Sequence, residues 1–352
     1  MPVLSQYFAR KCFANSNSLH PSPGWTDSRI HFLSSSNAAN ISTAAYHDIS
    51  SFWVGAIAVS GDVAVAGDPY GGDHASGVVH VLERDSDTWN QTMIISPTNL
   101  DERSVYGQSI SIDGNVMVVS GPDDRGTLGT AYIYNKQENG TWAEDAKLVP
   151  DDKRTQNFGH ATSVHDGVVA IGDNLYGDDG EGAVFVYSHN FDPVVNSSQW
   201  TLNTTITNED CDGSFGNSIA LTDDTDLVIG CPKDDGDAGS VYYYKQKGEG
   251  QYVLHQKIIP RREANDSDTA DEFGGELALD GNFMVASTYE QVNGKVHVFT
   301  LHDNLWKEVT AIQSPNVNYT YFGYDIEISG DNVFVSHWEN IYSYRLECSD
   351  NE

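Results

Sequence analysis

One short pattern recurs six times along the chain: an aromatic residue, a small residue that is usually glycine, and then a strand with alternating apolar side chains. The copies begin at residues 53, 106, 158, 215, 273 and 322, which places them 49 to 58 residues apart. A near-constant period of this size is typical of propellers and solenoids, in which each repeat is one supersecondary unit. Because no single unit can bury its own apolar face, the repeats must pack against one another.

Each copy is predicted to form four strands. The first strand alternates, as at Ile110 and Ile112, and a tight turn such as Asp113-Gly114-Asn115 follows it. The second strand is a short apolar run, the third is rich in aromatic residues, and the fourth is more polar. Polarity that rises toward the last strand suits a blade whose outer edge faces water. The chain is therefore predicted to be an all-β, six-bladed β-propeller of four-stranded blades.

The sixth copy contains only three strands, and a spare strand pattern lies near the other end of the sequence. Residues 25–33 begin with Trp25 and have the tryptophan-led pattern of the fourth strands. We predict that this N-terminal outer strand pairs with residues 341–346 and closes the ring, which leaves no fully exposed sheet edge. The predicted organisation is an N-terminal extension over 1–24, one propeller over 25–346 and a C-terminal tail over 347–352.

The charge of the chain limits its partners. It has 19 Lys and Arg against 51 Asp and Glu, a formal net charge of −32. Such a surface repels nucleic-acid phosphates and anionic membranes, and no apolar stretch is long enough to span a bilayer. We therefore expect neither a nucleic-acid partner nor direct membrane insertion. The acidity fits either general surface solvation or a cation-linked role, and both interpretations stay open.

Cysteines and glycosylation motifs favour an extracellular protein. The four cysteines contain no C-x-x-C pair, and their even number fits two disulfides, which we predict to be Cys12–Cys348 and Cys211–Cys231. Free thiols in a reducing compartment are the alternative. Seven N-x-S/T sequons are candidate N-glycosylation sites. They are Asn40, Asn90, Asn139, Asn196, Asn203, Asn265 and Asn318.

Two glycine-containing steps connect the copies to a known repeat. Phe-Gly steps open four copies, and Gly-x-Pro steps follow the second strands that end near Gly67 and Gly230. From about residue 25 to 346 the chain resembles the FG-GAP repeat family, whose best-known members are the propeller heads of integrin α subunits. The resemblance implies the propeller fold and a surface location. The Asp-x-Asp-x-Asp-Gly calcium loops of integrin-type repeats are absent here, so the chain resembles a short-turn variant and the family's calcium sites do not carry over.

Most acidic residues are predicted to lie in the loops that join strand two to three and strand four to one, which share one face of a propeller. Two of these loops contain Asp-Asp-Gly-Glu and Asp-Asp-Gly-Asp, which offer hard oxygen ligands to Ca²⁺ around a flexible glycine. The candidate calcium ligands are Asp178, Asp179, Glu181, Asp234, Asp235 and Asp237. Ordinary solvated turns are the alternative, because turns favour Asp and Gly in any case.

Aromatic residues interleave with these acids and suggest a surface that binds sugars, because rings stack on apolar sugar faces while carboxylates hold hydroxyl groups. The candidate ligand-binding residues are Tyr70, Asp73, Asp123, Asp124, Tyr176, Tyr289 and Trp338. Ordinary packing of the aromatic rings within the blades is the alternative.

No catalytic motif such as H-E-x-x-H or G-x-S-x-G is present, so no catalytic residue and no enzymatic activity are predicted. The predicted function is a secreted or cell-surface adhesion module. It would bind glycan, matrix or another extracellular protein through its acidic loop face, with Ca²⁺ as the one candidate cofactor, and belong to a larger surface assembly. Two alternatives stay open. One is a structural component of an extracellular assembly; the other is a propeller enzyme acting on polysaccharide, which carboxyl or histidine groups with shifted pKa at the centre of the funnel would favour.

Overall fold

The computed structural model describes most of the chain. The described residues are 10–14, 33–34, 37–38, 55–72, 75–86, 88–97, 104–122, 128–192, 197–248, 250–261, 271–288, 294–314, 322–337 and 340–350. They form β-strands and one four-residue helical turn. No described helix has the length and apolar character needed to cross a bilayer.

Alternating and apolar sequence patterns produce short strands throughout. In chain order the elements are β1 (Arg10–Ala14), β2 (Leu33–Ser34), β3 (Asn37–Ala38), β4 (Ile57–Ser60), β5 (Val63–Asp68), β6 (Val78–Asp85), β7 (Thr88–Ile95), β8 (Ile110–Asp113), β9 (Val116–Gly121), β10 (Thr130–Lys136), β11 (Trp142–Leu148), β12 (Thr162–His165), β13 (Val168–Asp173), β14 (Ala183–Asp192), β15 (Ser197–Ile206), β16 (Ile219–Leu221), β17 (Leu227–Cys231), α1 (Asp234–Asp237), β18 (Ser240–Gly248), β19 (Gln251–Ile258), β20 (Leu277–Asp280), β21 (Phe283–Thr288), β22 (Lys295–His302), β23 (Leu305–Gln313), β24 (Ile326–Ser329), β25 (Asn332–His337) and β26 (Asn340–Asp350).

The strands form six antiparallel sheets of four strands each, which confirms the predicted six-bladed propeller. Blades one to five are β4–β7, β8–β11, β12–β15, β16–β19 and β20–β23, and blade six combines β24–β26 with β1. The first strand of each blade is the innermost, and β4, β8, β12, β16, β20 and β24 contact one another in that order. Inner strands arranged in this way surround the central channel of a propeller.

An N-terminal strand closes the ring, as expected, but the closing segment differs from the prediction. It is β1, Arg10–Ala14, which pairs antiparallel with β26, and β26 continues to Asp350. Residues 25–32 lie outside the described residues, and Leu33–Ser34 pairs with Asn37–Ala38 instead. The physical reason is that an outer strand pairs along one edge only and faces water, so its sequence is weakly constrained and two segments fit the same pattern.

The new register bears on the predicted Cys12–Cys348 disulfide. The two cysteines are direct partners across the β1–β26 ladder. Directly opposite residues in an antiparallel pair have Cα atoms about 4.5–5.5 Å apart, which lies within the range found in disulfides. We expect a non-reducing peptide map to contain a Cys12–Cys348 cross-link that disappears on reduction, with the Cys211–Cys231 cross-link as internal control. Alkylation of Cys12 and Cys348 without reduction would contradict the pairing.

The hydrophobic core lies between blades rather than inside them. Each of the five described core clusters combines residues from two neighbouring blades. Phe215 illustrates the arrangement: its ring is fully buried, 5.9 Å from the ring of Tyr242 and 6.1 Å from that of Tyr244 in its own blade. It also packs with Val184 and Val186 of the preceding blade. The aromatic residue of the repeat therefore joins consecutive blades.

The glycine that follows Phe215 brings two backbones into close approach. Gly216 has a φ of +85°, which favours glycine, and its N–H donates to the carbonyl of Gly230 at 3.0 Å. Its own carbonyl oxygen lies only 2.1 Å from the place where a Cβ on Gly172 of the preceding blade would stand. At this contact between blades three and four, neither Gly172 nor Gly216 can be replaced by a residue with a side chain without moving the backbone.

Candidate functional site

The predicted calcium ligands of blade four form a turn that a lysine neutralises. Asp234 is buried, and its carboxylate accepts hydrogen bonds from the Tyr242 hydroxyl at 2.8 Å and the Lys257 ammonium at 2.8 Å. Lys257 also pairs with Asp235 at 3.2 Å. Burial opposes ionisation of Asp234, but Lys257 and the neighbouring hydroxyls outweigh it and hold the pKa of this carboxyl below its usual value. In this arrangement the ammonium group compensates part of the negative charge of the two carboxylates.

Asp237, the third predicted calcium ligand of blade four, is not part of this group, and Asp212, which was not predicted, takes its place. Asp237 pairs with Lys233 at 3.7 Å. Instead, oxygens of Asp212, Asp234 and Asp235 lie within 4.8 Å of one another. Asp212 follows Cys211, which forms the predicted disulfide with Cys231. The disulfide therefore fixes the loop that brings Asp212 to the turn, a proximity that no sequence motif indicated.

The remaining predicted loop residues do not form one site. Asp178, Asp179 and Glu181 are exposed, and they are absent from the group of metal-competent carboxylates found among the described residues. Tyr176 is buried; its hydroxyl donates to Asp152 at 2.8 Å, so its ring offers no open face to a sugar. Of the other candidates, Tyr70 is 57% exposed. Asp73, Asp123, Asp124, Tyr289 and Trp338 lie outside the described residues.

The structure brings a different set of polar groups together where the inner strands begin. We call His160, Asn217, Glu276, Tyr324 and Asp325 the channel mouth; each lies one or two residues after the glycine of the Phe-Gly step of its blade, just before the inner strand starts. Because the inner strands surround the channel, successive blades place these residues next to one another around its axis. Four consecutive blades, three to six, contribute to the set.

Hydrogen bonds link the channel mouth across three blades. The Asn157 amide lies 3.2 Å from the His160 ring and donates to Asn174 at 2.8 Å. Asn174 donates to Asn217 at 2.9 Å, and Asn217 donates to the carbonyl of Gly275 at 2.9 Å. Burial lowers the pKa of His160, so its imidazole is neutral at pH 7. A connected polar network of this kind holds its side chains in defined positions.

Three acidic side chains follow in blades five and six. The surrounding protein raises the pKa of Glu276 to about 8, and the nearby Asp325 adds to the effect. The same burial raises the pKa of Glu327 to about 7, with smaller contributions from Asp325 and Asp280, and it raises the pKa of Asp325. Asp325 and Glu327 are exposed to water, whereas Glu276 is half-buried. Near neutral pH, Glu276 and Glu327 can both donate and accept hydrogen bonds.

Apolar surface accompanies these polar groups. Tyr324, which precedes Asp325, is 55% exposed. The blade-six side of the channel mouth therefore has an exposed aromatic ring next to its carboxyl groups.

The raised pKa of Glu276 makes a prediction about stability. Between pH 4.5 and 8 the folded protein keeps a proton that the unfolded chain has lost, so stability falls as pH rises through this range. In Glu276→Gln that part of the decline is absent. Full linkage over the three pH units from pH 5 to pH 8 would amount to about 4 kcal/mol, since one pKa unit corresponds to about 1.4 kcal/mol, and access of water to this half-buried carboxyl reduces it. We therefore expect the difference in unfolding free energy between variant and wild type to change by at least about 1 kcal/mol between pH 5 and pH 8. Urea melts at the two pH values measure it, and parallel pH dependences would contradict it.

Comparisons with known proteins agree with this geometry at the level of the fold. The FG-GAP repeat profile matches residues 89–134 and 200–244. A periplasmic gluconolactonase of Pseudomonas aeruginosa is 14% identical, with a TM-score of 0.53 over 82% of this chain and 80% of that one. Sqt1 of Saccharomyces cerevisiae is 12% identical, with a TM-score of 0.49 over 83% and 82% of the two chains. At such identities the likeness concerns architecture alone. The chain is a six-bladed β-propeller, and two of its segments match the FG-GAP repeat.

Proposed function

We propose that the chain is a secreted or cell-surface binding module whose ligand is a carbohydrate held at the channel mouth. The observation that carries this proposal is the arc of polar groups from His160 to Asp325, which four consecutive blades contribute and which is hydrogen-bonded across blades three to five. The acidic loop candidates within the described residues are paired with lysine or exposed in a separate loop, whereas the groups of this arc lie around one axis.

The chemistry of the arc suits hydroxyl-rich ligands. A sugar hydroxyl both donates and accepts, and amides, a neutral imidazole and partly protonated carboxyls offer both roles. Sugar rings also have apolar faces, which match the exposed ring of Tyr324. A net charge of −32 disfavours acidic polysaccharides, so neutral or amino sugars fit best.

The proposed location has separate support. The Cys211–Cys231 disulfide is fully formed and buried. Disulfides persist in oxidising compartments such as the cell exterior, the secretory pathway or a periplasm. FG-GAP repeats agree with such a location.

A glycan array tests the proposal, with the protein probed in millimolar calcium and again in EDTA. We expect binding that survives EDTA, because Lys257 neutralises the acidic turn and the channel mouth acts through hydrogen bonds. The double variant Tyr324→Ala/Asp325→Asn should weaken binding at least tenfold, since it removes a stacking ring and a carboxylate hydrogen-bond acceptor from the proposed site together. The matched control Asp178→Asn/Asp179→Asn changes two exposed loop acids and should bind normally. Loss of binding in the control or in EDTA, with the channel variant unaffected, would place the ligand on the loops instead.

A second candidate function is a hydrolase acting on polysaccharide, and the carboxyl groups of the channel favour it. Glu276 and Glu327 have pKa values raised to about 8 and 7, as a general acid that works near neutral pH requires. The likeness to a gluconolactonase shows that propellers of this architecture include enzymes. If the chain is an enzyme, a bound glycan should be shortened on incubation, and Glu276→Gln should bind it without cleaving it. Intact glycan after prolonged incubation with wild type would contradict the hydrolase and favour a binding module without catalytic activity.

A further inference from the structure

We propose that Asn139 is an acceptor for N-glycan transfer in the folded propeller, whereas Asn203, which has the same sequence motif, is closed to it. The sequons look equivalent in the sequence, and the fold distinguishes them. Among the described residues three sequon asparagines can be compared: Asn90 and Asn139 are exposed, and Asn203 is half-buried. Asn40, Asn196, Asn265 and Asn318 lie outside the described residues.

Asn139 lies in the hairpin turn between β10 and β11. Its Oδ1 accepts a hydrogen bond from the Thr141 hydroxyl at 2.7 Å and another from the Thr141 N–H at 3.0 Å. The turn is held by the Gln137 N–H, which donates to the Thr141 carbonyl at 2.7 Å. Gly140 between them has no neighbour within 4 Å of its Cβ position, so the turn projects into open space.

This geometry prepares the carboxamide for reaction. Both sequon hydrogen bonds end on the amide oxygen, which polarises the carboxamide and leaves its nitrogen without a hydrogen-bond partner among the described residues. The third sequon residue thus holds the acceptor in one conformation before any transferase binds, an arrangement typical of Asx turns.

Asn203 has the opposite arrangement. It lies inside β15, and its Nδ2 donates to the Ser188 hydroxyl at 2.7 Å. The Cβ of Asn203 is only 2.7 Å from the Cβ position of Gly250 in the neighbouring blade. Its nitrogen is therefore engaged, and the space around it is occupied by protein.

The transfer itself needs a donor from outside the chain, a lipid-pyrophosphate-linked oligosaccharide. A bond forms between Nδ2 of Asn139 and C1 of the first sugar, while the bond from C1 to the pyrophosphate oxygen breaks. The lipid pyrophosphate leaves with the bonding electrons, and a base of the transferase takes the Nδ2 proton. In a propeller, turns between strands three and four project from the face opposite the channel mouth. A glycan on Asn139 would leave that mouth open, and the inference does not depend on the proposed function.

The test uses full-length protein made without glycans in a bacterial periplasm and then incubated with purified oligosaccharyltransferase and its lipid-linked donor. Peptide mapping by mass spectrometry measures the occupancy of each sequon, in the folded protein and in a reduced, alkylated and denatured sample. We expect Asn139 to be modified in both samples and Asn203 only in the denatured one. Folded Thr141→Val should lose modification at Asn139 at least tenfold, and Thr141→Ser, which keeps the hydroxyl, should retain it. The matched control Thr205→Val should leave Asn139 unchanged. An unmodified Asn139 in the folded wild type, or equal modification of Asn203 in both samples, would overturn the inference.

Discussion

Replacing Phe215 with alanine is expected to lower the free energy of unfolding by about 3–5 kcal/mol. The ring is fully buried between blades three and four, where it packs edge-on against Tyr242 and Tyr244. Removing it leaves a cavity that neither blade can fill, because each blade is a rigid hydrogen-bonded sheet. Since this interface joins consecutive repeats, we expect the variant to lose cooperativity as well as stability.

Urea denaturation followed by circular dichroism measures the effect, and two variants serve as controls. Phe215→Tyr should cost no more than about 1 kcal/mol. In blade two the residue equivalent to Phe215 is already a tyrosine, Tyr106, and its hydroxyl pairs with that of Tyr134. Tyr244 is the residue of blade four that corresponds to Tyr134, so its hydroxyl can pair with the new one in the same way. Tyr70→Ala removes a ring that is 57% exposed and should change stability by less than about 0.5 kcal/mol. A loss below about 1 kcal/mol in Phe215→Ala would show that the repeat aromatic does not hold the blades together.

Gly172→Ala is expected to destabilise the protein by about 3 kcal/mol, which is large for a single methyl group. Its Cβ would stand 2.1 Å from the carbonyl oxygen of Gly216, a backbone atom of the next blade. Because that carbonyl belongs to a close-packed interface, the blades must separate slightly to admit the methyl group. The backbone of Gly172 itself is not in the left-handed region, so strain in φ plays no part.

The matched control is Gly213→Ala, which adds the same methyl group in a backbone that is likewise outside the left-handed region. Its nearest neighbours would lie at 3.5 Å and 3.6 Å, which are ordinary contact distances. Thermal unfolding of the two variants should separate them clearly, with Gly213→Ala within about 0.5 kcal/mol of wild type. Equal stabilities would mean that the glycine-to-glycine approach between blades is looser than the structure indicates.

Sequence reasoning predicts the propeller well because the fold depends on local features that recur. Phe158, Phe215, Phe273 and Phe322 are fully buried at equivalent positions, and repetition turns a weak dipeptide signal into a strong one. The ring-closing strand was harder to identify. An outer strand has one hydrogen-bonded edge and one wet edge, so both Arg10–Ala14 and the Trp25 segment satisfy its few requirements.

The candidate site was predicted less well, for a physical reason. Loops rich in Asp and Gly suggested calcium ligands, but Asp234 is buried and paired with Lys257. Lys257 is 23 residues away in the sequence, and only the tertiary structure brings it to Asp234. The acids of the channel resemble ordinary strand residues in the sequence. A signal did exist: at the position two residues after the glycine of the Phe-Gly step, blades five and six carry Glu276 and Asp325. The other blades carry Ala or Ser there, namely Ala56, Ser109, Ala161 and Ser218.

The central claim is that a sugar binds against the carboxyl groups of the channel, and proton linkage tests it most directly. The best glycan from the array would be titrated calorimetrically near pH 7.5 in two buffers of different ionisation enthalpy. Glu276 and Glu327, with pKa values of about 8 and 7, are partly protonated at this pH, so a ligand that binds one protonation state more tightly than the other takes up or releases protons. We predict a net uptake or release of protons on binding that disappears in Glu276→Gln/Glu327→Gln. Binding with identical heats in both buffers, or proton exchange that persists in the double variant, would contradict the placement of the ligand in the channel.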